Sequence, residues 1–149
     1  MNVSTVCTRE VVSCSGQASL QRVAELMRAQ HVGAVVITTG NGRQGRPVGI
    51  VTDRDIVIEA VATGLQADAI TASDVIREPL VLVSEQDSLL DAIHRMRSRG
   101  VRRLPVTNAR GELTGIVTLD DLLHALAHEL STLVRVAEHQ PAQEARTRR

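Results

Sequence analysis

The chain has 149 residues, of which 43% are apolar and 23% are charged. The 17 basic and 17 acidic residues give a formal net charge of zero, and the sequence contains no Phe, Trp or Tyr. This composition excludes a wholly disordered or collagen-like chain. It also argues against a nucleic-acid-binding protein, because such proteins usually carry a basic excess and stack bases on aromatic side chains.

The first predicted elements form a short unit of strands and helices. Val11 and Val12 make up a short apolar run that predicts a strand. Ser19 is a predicted N-cap, and the apolar residues after it have the spacing of an amphipathic helix: Leu20, Val23, Ala24 and Met27. Next come, in order, a strand over residues 34–38, a Gly-rich turn, a strand over 48–51 and a helix from Thr52 to about Gly64.

The same order of elements recurs in the second half of the chain. A shift of 69 residues places Ser19 on Ser88 and Met27 on Met96, and a shift of 66 residues places 49–52 on 115–118. The second copy therefore predicts strands over 80–83, 104–107 and 113–117, with helices beginning at Ser88 and Thr118. A unit of about 60 residues buries little apolar surface alone. We therefore predict an α/β (α+β) fold of two β-α-β-β-α repeats that share one core about a pseudo-twofold axis.

The predicted organisation has four parts. Repeat one spans residues 1–66, a linker 67–73, repeat two with an extended C-terminal helix 74–139, and a disordered polar tail 140–149. Leucines recur along one side of the last helix: Leu122, Leu123, Leu126, Leu130 and Leu133. This side is predicted to cover the other repeat or a second subunit in a homodimer. The arginines of the tail are predicted to be solubilising: Arg146, Arg148 and Arg149.

One spacing of polar residues occurs once in each repeat and suits a nucleotide. The spacing is Gly-x-x-Thr-x-x-Asp, at residues 49–55 and 115–121. The glycine lets a ligand approach the backbone, the Thr hydroxyl can bond a phosphate or ribose oxygen, and the Asp carboxylate suits the two vicinal hydroxyls of ribose. In the alternative interpretation the Thr only caps the helix and the Asp only favours its dipole. The duplication of the spacing favours the ligand interpretation.

These segments closely resemble a tandem pair of cystathionine-β-synthase (CBS) domains, also called a Bateman module. The resemblance covers about residues 3–128 and rests on three segments: Val48–Ile56, Gly100–Val106 and Gly115–Leu122. It implies a module without catalytic activity that binds an adenosyl ligand such as AMP, ADP, ATP, NAD or S-adenosylmethionine in two symmetry-related clefts. It also implies a disc-like dimer of two modules. The chain looks most like free-standing bacterial CBS-pair proteins.

The resemblance assigns roles to residues of both repeats. It places the ribose carboxylate at Asp55 in one cleft and at Asp121 in the other, and the junction hydroxyl at Thr52 and Thr118. Further phosphate- or ribose-binding residues are Arg102, Arg103, Arg54 and Asp120. The residues expected to hold adenine through aliphatic groups or backbone are Val11, Val12, Val35, Val36, Leu80, Val81, Leu104 and Pro105.

Repeat one lacks two cations that repeat two carries. Gly and Ala stand at 33–34, where the second repeat has Arg102 and Arg103. Neighbouring strand residues point to opposite faces, so only one of the two arginines needs to face a cleft. We expect the Asp121 cleft, whose own repeat supplies the arginines, to bind a phosphorylated ligand at least tenfold more tightly. In the alternative, the arginines lie near the centre of the module and serve the Asp55 cleft.

Other motifs are predicted to have no chemical role. The G-x-G-x-x-G spacing at 40–45 is followed by a strand, so it indicates a hairpin loop rather than a dinucleotide site. His124 and His128 have metal-ligand spacing but lack the rest of a zinc motif, so a surface pair and no metal site are expected. Cys7 and Cys14 are expected to be reduced thiols. Neither a signal peptide nor a membrane-spanning run is visible, which predicts a cytoplasmic protein without a membrane or nucleic-acid partner.

Three functions remain open from the sequence. The first is a sensory or regulatory module in which an adenosyl nucleotide changes the packing of the repeats or of two subunits, and a regulated protein reads that change. The second is an interaction scaffold with degenerate clefts, favoured by the missing cations of repeat one. The third, a small hydrolase or transferase, is disfavoured because no nucleophile can be paired with a general base.

Overall fold

The structure, a computed structural model, describes residues 1–40, 45–76 and 79–147, and the side chains of all of these except 140–142, 144, 145 and 147. It contains two three-stranded sheets built in the same way. The strands of the first sheet are β1 (Ser13–Ser15), β2 (Ala34–Thr38) and β3 (Pro47–Thr52). Those of the second are β4 (Val83–Ser84), β5 (Arg103–Thr107) and β6 (Leu113–Thr118). In each sheet the first strand is parallel to the second, and the third is antiparallel to it.

The helices follow the strands in the same order in both halves. They are α1 (Leu20–Gln30), α2 (Asp53–Ile56), α3 (Ala72–Val75), α4 (Leu89–Arg99) and α5 (Leu119–Thr147). A π-helix over Val57–Val61 continues α2, and a 3-10 turn spans Val3–Thr5. The sheet registers agree as well: Ala34 faces Thr52, and Arg103 faces Thr118. The predicted α/β fold of two β-α-β-β-α repeats is confirmed. The prediction of one shared core is wrong, because each repeat has its own cluster of buried residues and only a small third cluster lies between them.

The ends of α1 and α4 follow from local chemistry. The Ser19 and Ser88 hydroxyls accept hydrogen bonds from the backbone N–H three residues later, at 3.1 and 3.2 Å, so both predicted N-caps are confirmed. At the C-terminal ends, His31 and Gly100 take left-handed φ angles of 54° and 64°. The second repeat has the glycine that this conformation favours, whereas the first repeat holds a histidine in it.

The two apolar runs that predicted the first strand of each repeat lie just before that strand. Val11 and Val12 precede β1, and residues 80–82 precede β4. Val11 is buried between the two repeats, where it packs with Val36 and Leu113. The runs are apolar because they contact the other repeat or line a cavity. The hydrogen-bonded strands β1 and β4 begin after them.

The first repeat places its leading segment on the core of the second repeat. Val3 is fully buried in that core, and Val6 and Cys7 pack against it. The backbone N–H of Val3 donates to the carbonyl of Asp87 (2.9 Å), in the loop before α4. The beginning of the chain is therefore held by the second half of the chain and not by its own repeat.

The leading segment of the second repeat closes the first core in the same way. Ala72 is fully buried there, and Ala67 and Ile70 pack against the same cluster. The backbone N–H of Ala72 donates to the carbonyl of Ala18 (2.8 Å), just before α1. Residues 67–73, predicted to be a linker, thus form part of the first core.

The repeats also meet where their hairpins end. The backbone N–H of Leu113, at the start of β6, donates to the carbonyl of Gly45 (3.2 Å), just before β3. Residues 41–44, which complete the predicted hairpin loop between β2 and β3, lie outside the described residues. The hydrogen bond ties the first hairpin to the second sheet.

The last helix, α5, is longer than the sequence predicted. It continues to Thr147, so the prediction of a disordered tail is wrong for residues 140–147, and Arg148 and Arg149 lie outside the described residues. Residues 140–147 include Pro141, which has the lowest helix propensity, but most of the others are Gln, Ala, Glu and Arg, which have high propensity, and their polar composition suits an exposed helix as well as a coil. Neither α5 nor any other helix in the described part of the chain is both long and apolar enough to cross a membrane.

Candidate functional site

A cavity of about 380 Å³ opens beside the end of β3 and the start of α2. Residues of both repeats line it: Gly49, Ile50, Thr52, Asp55, Glu59, Val75, Ile76, Pro79, Leu80, Val81, Arg99, Val101 and Arg103. Its volume is in the range of small-molecule sites, and its wall combines aliphatic side chains with a few polar groups. We call it the Asp55 cavity.

Reciprocal hydrogen bonds fix Thr52 and Asp55 at the start of α2. The backbone N–H and the hydroxyl of Thr52 donate to Oδ2 of Asp55 (2.7 and 2.8 Å), and the Asp55 N–H donates to the Thr52 hydroxyl (3.3 Å). These bonds occupy one oxygen of the carboxylate. The other oxygen, Oδ1, accepts no hydrogen bond from a described residue, so it is available to a ligand hydroxyl.

The same capping box occurs at three other helix starts. Thr118–Asp121 has it with donor–acceptor distances of 2.7–3.2 Å, and Thr71–Asp74 and Ser88–Asp91 have it as well. Hydrogen bonds from Thr71 and Ser88 hold the pKa of Asp74 and Asp91, respectively, below the usual carboxyl range. The Thr-x-x-Asp spacing is therefore a helix-start motif in this chain. The cavity beside Thr52 and Asp55, and not the motif, marks the candidate site.

Arg103 lies in the Asp55 cavity although it belongs to the second repeat. Its Nη2 atom is 3.5 Å from the position that a Cβ on Gly33 would occupy, so its side chain reaches the first repeat. Arg102 has a different environment: its side chain is 73% exposed, and its Nη2 atom lies 4.0 Å from Oδ1 of Asp120. The two arginines are thus separated, and Arg103 lines the Asp55 cavity rather than the Asp121 cleft, where it was expected.

Two carboxylates, Asp55 and Glu59, and two cations line the cavity. Arg99 and Arg103 both line it, and neither forms an ion pair with any residue that the structure describes. A guanidinium suits phosphate because it donates two parallel hydrogen bonds to the phosphate oxygens. The cavity can therefore hold a ribose at the free oxygen of Asp55 and a phosphate at the arginines.

The aliphatic residues predicted to hold adenine fall into two groups. Four line cavities: Leu80 and Val81 the Asp55 cavity, and Val11 and Val12 a second one. Four are buried and do not line either cavity: Val35, Val36, Leu104 and Pro105. Three of these buried residues belong to the apolar clusters: Val35, Val36 and Leu104. The polar residues Arg54 and Asp120 are exposed and lie outside both cavities.

The second cavity also has a volume of about 380 Å³. Its lining residues are Glu10, Val11, Val12, Ser13, Leu26, Gln30 and Val32, all from the first repeat. We call it the Glu10 cavity. Thr118 and Asp121, the capping box of the second repeat, do not line it.

Four residues that line the Asp55 cavity were not identified from the sequence: Glu59, Val75, Arg99 and Val101. Glu59 is four residues after Asp55 and continues the same helical face, so its spacing was a usable signal. Arg99 and Val101 lie at the end of α4 and in the loop after it, and their place in the cavity depends on how the second repeat packs on the first.

The cysteine and histidine residues lie apart from the Asp55 cavity. Cys7 and Cys14 are free thiols that pack against different cores. Burial raises the pKa of both thiols above the usual range, so both stay protonated at neutral pH. His124 and His128 are exposed on α5. Within the described residues there is no cluster of three His, Cys, Asp or Glu that suits a metal.

The family model of the CBS domain matches the chain twice, at residues 3–61 and 72–128. It is 33% identical to the uncharacterized protein MK0525 of Methanopyrus kandleri over 133 residues, which cover 89% of this chain and 66% of that protein. It is 34% identical to hypoxic response protein 1 of Mycobacterium tuberculosis over 126 residues, 83% of this chain and 85% of that protein. A similar solved structure is the CBS domain protein PAE2072 from Pyrobaculum aerophilum complexed with AMP, with a TM-score of 0.77, 31% identity and coverage of 89% of this chain and 99% of that one.

Proposed function

The chain belongs to the CBS domain family, and on that premise we propose that it is a cytoplasmic sensory module without catalytic activity. It binds a phosphorylated adenosyl nucleotide, AMP, ADP, ATP or NAD, in the Asp55 cavity. The observation that carries this proposal is the meeting of Asp55 and Arg103, from different repeats, in one cavity. The likeness to PAE2072, whose structure contains AMP, supports it.

Each part of the nucleotide has a matching group in the cavity. Oδ1 of Asp55 accepts the ribose hydroxyls, and Arg103 and Arg99 bind phosphate oxygens. Adenine packs on aliphatic side chains such as Leu80 and Val81, since the chain has no aromatic residue. The affinity for the base therefore comes from apolar burial and backbone contacts and not from ring stacking.

The sensory step follows from the origin of these groups in two repeats. Asp55 comes from the first repeat and Arg103 from the second, so a nucleotide that contacts both fixes the position of one repeat against the other. A ligand shifts a conformational equilibrium by its difference in affinity for the two states. A regulated protein that binds one arrangement of the repeats then reads the nucleotide level.

Adenosyl nucleotides are expected to raise the melting temperature. A ligand that binds only the folded state adds about 2.7 kcal/mol at about 100 times its dissociation constant. For a chain of this size, that is a shift of roughly 5–10 °C. Circular dichroism melts with millimolar AMP, ADP, ATP and NAD, and with GMP and CMP as controls, measure it. An interaction scaffold with degenerate clefts predicts no shift with any of the six compounds.

We also propose that two copies of the chain associate through α5. Four of the five leucines predicted to form the stripe are exposed: Leu123, Leu126, Leu130 and Leu133. The fifth, Leu122, is buried in the core of its own repeat. An apolar stripe of this length marks an interaction surface. Light scattering at micromolar concentration should give twice the chain mass, and Leu130→Glu should give a monomer. Ser131→Glu, which adds the same charge one residue away, should stay dimeric. A monomeric wild-type protein contradicts the homodimer.

A further inference from the structure

Asp53, the first residue of α2, lies just outside the Asp55 cavity, and we propose that it is a positioning residue that lowers the affinity of Arg103 for phosphate. In the ligand-free protein, the Asp53 carboxylate attracts the Arg103 guanidinium, and a bound phosphate has to compete with that attraction. The proposal rests on the proposed function, because it takes Arg103 as a phosphate-binding residue. Asp53 then sets how strongly the cavity prefers a phosphorylated ligand to an unphosphorylated one.

Asp53 and Arg103 meet at Gly33, in the loop before β2. A Cβ atom on Gly33 would lie 3.4 Å from Oδ2 of Asp53 and 3.5 Å from Nη2 of Arg103. Because both distances start from one point, the two charged groups, which come from different repeats, share one small region. Both residues belong to the described part of the chain, and no ion pair joins them. They are therefore close neighbours that lie beyond ion-pair distance.

Hydrogen bonds fix the position of Asp53. Its backbone N–H donates to the carbonyl of Gly33 (3.1 Å), which ties the start of α2 to the loop before β2. Oδ1 of Asp53 accepts a hydrogen bond from the backbone N–H of Arg54 (2.8 Å). Oδ2, the oxygen nearer to Gly33, accepts no hydrogen bond from a described residue. The carboxylate oxygen that lies towards Arg103 is therefore available to a cation.

The second repeat has the same backbone arrangement with different side chains. Under the shifts that relate the repeats, Gly33 corresponds to Arg102 and Asp53 to Leu119. The backbone N–H of Leu119 donates to the carbonyl of Arg102 (2.9 Å), so this hydrogen bond needs neither the glycine nor the carboxylate. An acidic residue in the first turn also favours the helix dipole, but Asp55 already provides one in α2. The fold thus leaves Asp53 without a structural role that another residue does not fill.

The sign of the effect follows from the separation of the two groups. A carboxylate that hydrogen-bonded the guanidinium would lock its orientation and strengthen phosphate binding. Asp53 makes no such bond, so it only offers Arg103 a second position outside the cavity. The apparent affinity for a ligand falls with the fraction of the protein that is ready to bind it. Asp53 is exposed, so solvent screens the attraction and the reduction is moderate.

Calorimetric titration of the Asp53→Asn protein with AMP and adenosine tests the proposal. The AMP affinity is expected to rise roughly two- to fivefold, and the adenosine affinity to change by less than about 1.5-fold, because adenosine has no phosphate for Arg103. Asp53→Glu keeps the charge and is expected to keep the wild-type AMP affinity. The matched control is Asp68→Asn, which removes one charge at an exposed position outside both cavities and is expected to change neither affinity.

A double-mutant cycle separates an effect through Arg103 from a direct effect on the ligand. In the Arg103→Ala background, Asp53→Asn is expected to change the AMP affinity by less than about 1.5-fold, because the guanidinium that Asp53 attracts is absent. A gain that persists in this background means that Asp53 repels the phosphate directly, and it overturns the proposal. An unchanged or lower AMP affinity of the Asp53→Asn single variant overturns it as well.

The attraction can also be measured without a ligand. In the NMR spectrum of nitrogen-labelled protein, the Nε–H resonance of Arg103 is assigned by its loss in Arg103→Ala. It is expected to shift in Asp53→Asn and to stay in place in Asp68→Asn, and an unshifted resonance in Asp53→Asn overturns the inference. Failure of the proposed function gives a different result, since AMP then binds neither the wild-type nor the Asp53→Asn protein, which overturns both. Failure of this inference alone leaves AMP binding intact and equal in the two proteins.

Discussion

Replacing Arg103 by alanine is expected to weaken AMP binding by roughly ten- to a hundredfold and to change the adenosine affinity by less than about twofold. The AMP complex loses a charge-assisted hydrogen bond, which is worth about 1.5–3 kcal/mol, and each 1.4 kcal/mol is about tenfold in affinity. Adenosine has no phosphate, so it keeps its contacts with Asp55 and the aliphatic wall. Calorimetric titration of both ligands into both proteins gives the two ratios.

The neighbouring arginine provides a matched control for this experiment. Arg102→Ala removes the same side chain from the same strand region, but the Arg102 side chain is largely exposed and lies beside Asp120, outside the cavity. We expect the affinity of the Arg102→Ala variant for AMP to stay within about twofold of the wild-type value. Equal losses in the two variants would mean that general positive charge, and not the position of Arg103, attracts the nucleotide.

Val3→Asp is expected to lower the free energy of unfolding by roughly 3–5 kcal/mol, although the residue stands almost at the beginning of the chain. Val3 is fully buried in the second core, so the new carboxylate is placed there without a partner. A loss of this size is a large part of the stability of an ordinary domain. Urea denaturation followed by circular dichroism measures it.

Met1→Asp is the control for that substitution. Met1 is 57% exposed, so the same charge two residues earlier should change the free energy of unfolding by less than about 0.5 kcal/mol. If both variants unfold at the same urea concentration, the leading segment is not part of the second core.

The sequence predicted the regular elements well where two local signals agreed. For α1 and α4, a capping serine is followed by apolar residues at helical spacing, and both helices begin where expected. Strand β2 has the predicted bounds because a buried apolar run ends at a turn. The apolar runs before β1 and β4 are buried by tertiary contacts, and a run of valines does not indicate whether a strand or another repeat covers it.

The candidate site was predictable only in part for a related reason. Thr52 and Asp55 were found because their spacing is duplicated, but the same spacing at Thr71–Asp74 serves only a helix start. The cavity that Arg103 lines depends on how far its side chain reaches across to Gly33. Neither the packing of the repeats nor the reach of a long side chain is encoded in a local pattern.

The exchange of leading segments makes the two halves of the chain one cooperative unit. If the core of the second repeat opens, Val3 loses its packing contacts there. If the core of the first repeat opens, Ala72 loses its packing contacts in the same way. Neither half closes its core with its own residues, so a cut between residues 66 and 67 would leave two fragments that each need the other. If a ligand binds and stabilises one half, we therefore expect the other half to be stabilised as well, even without a change in shape.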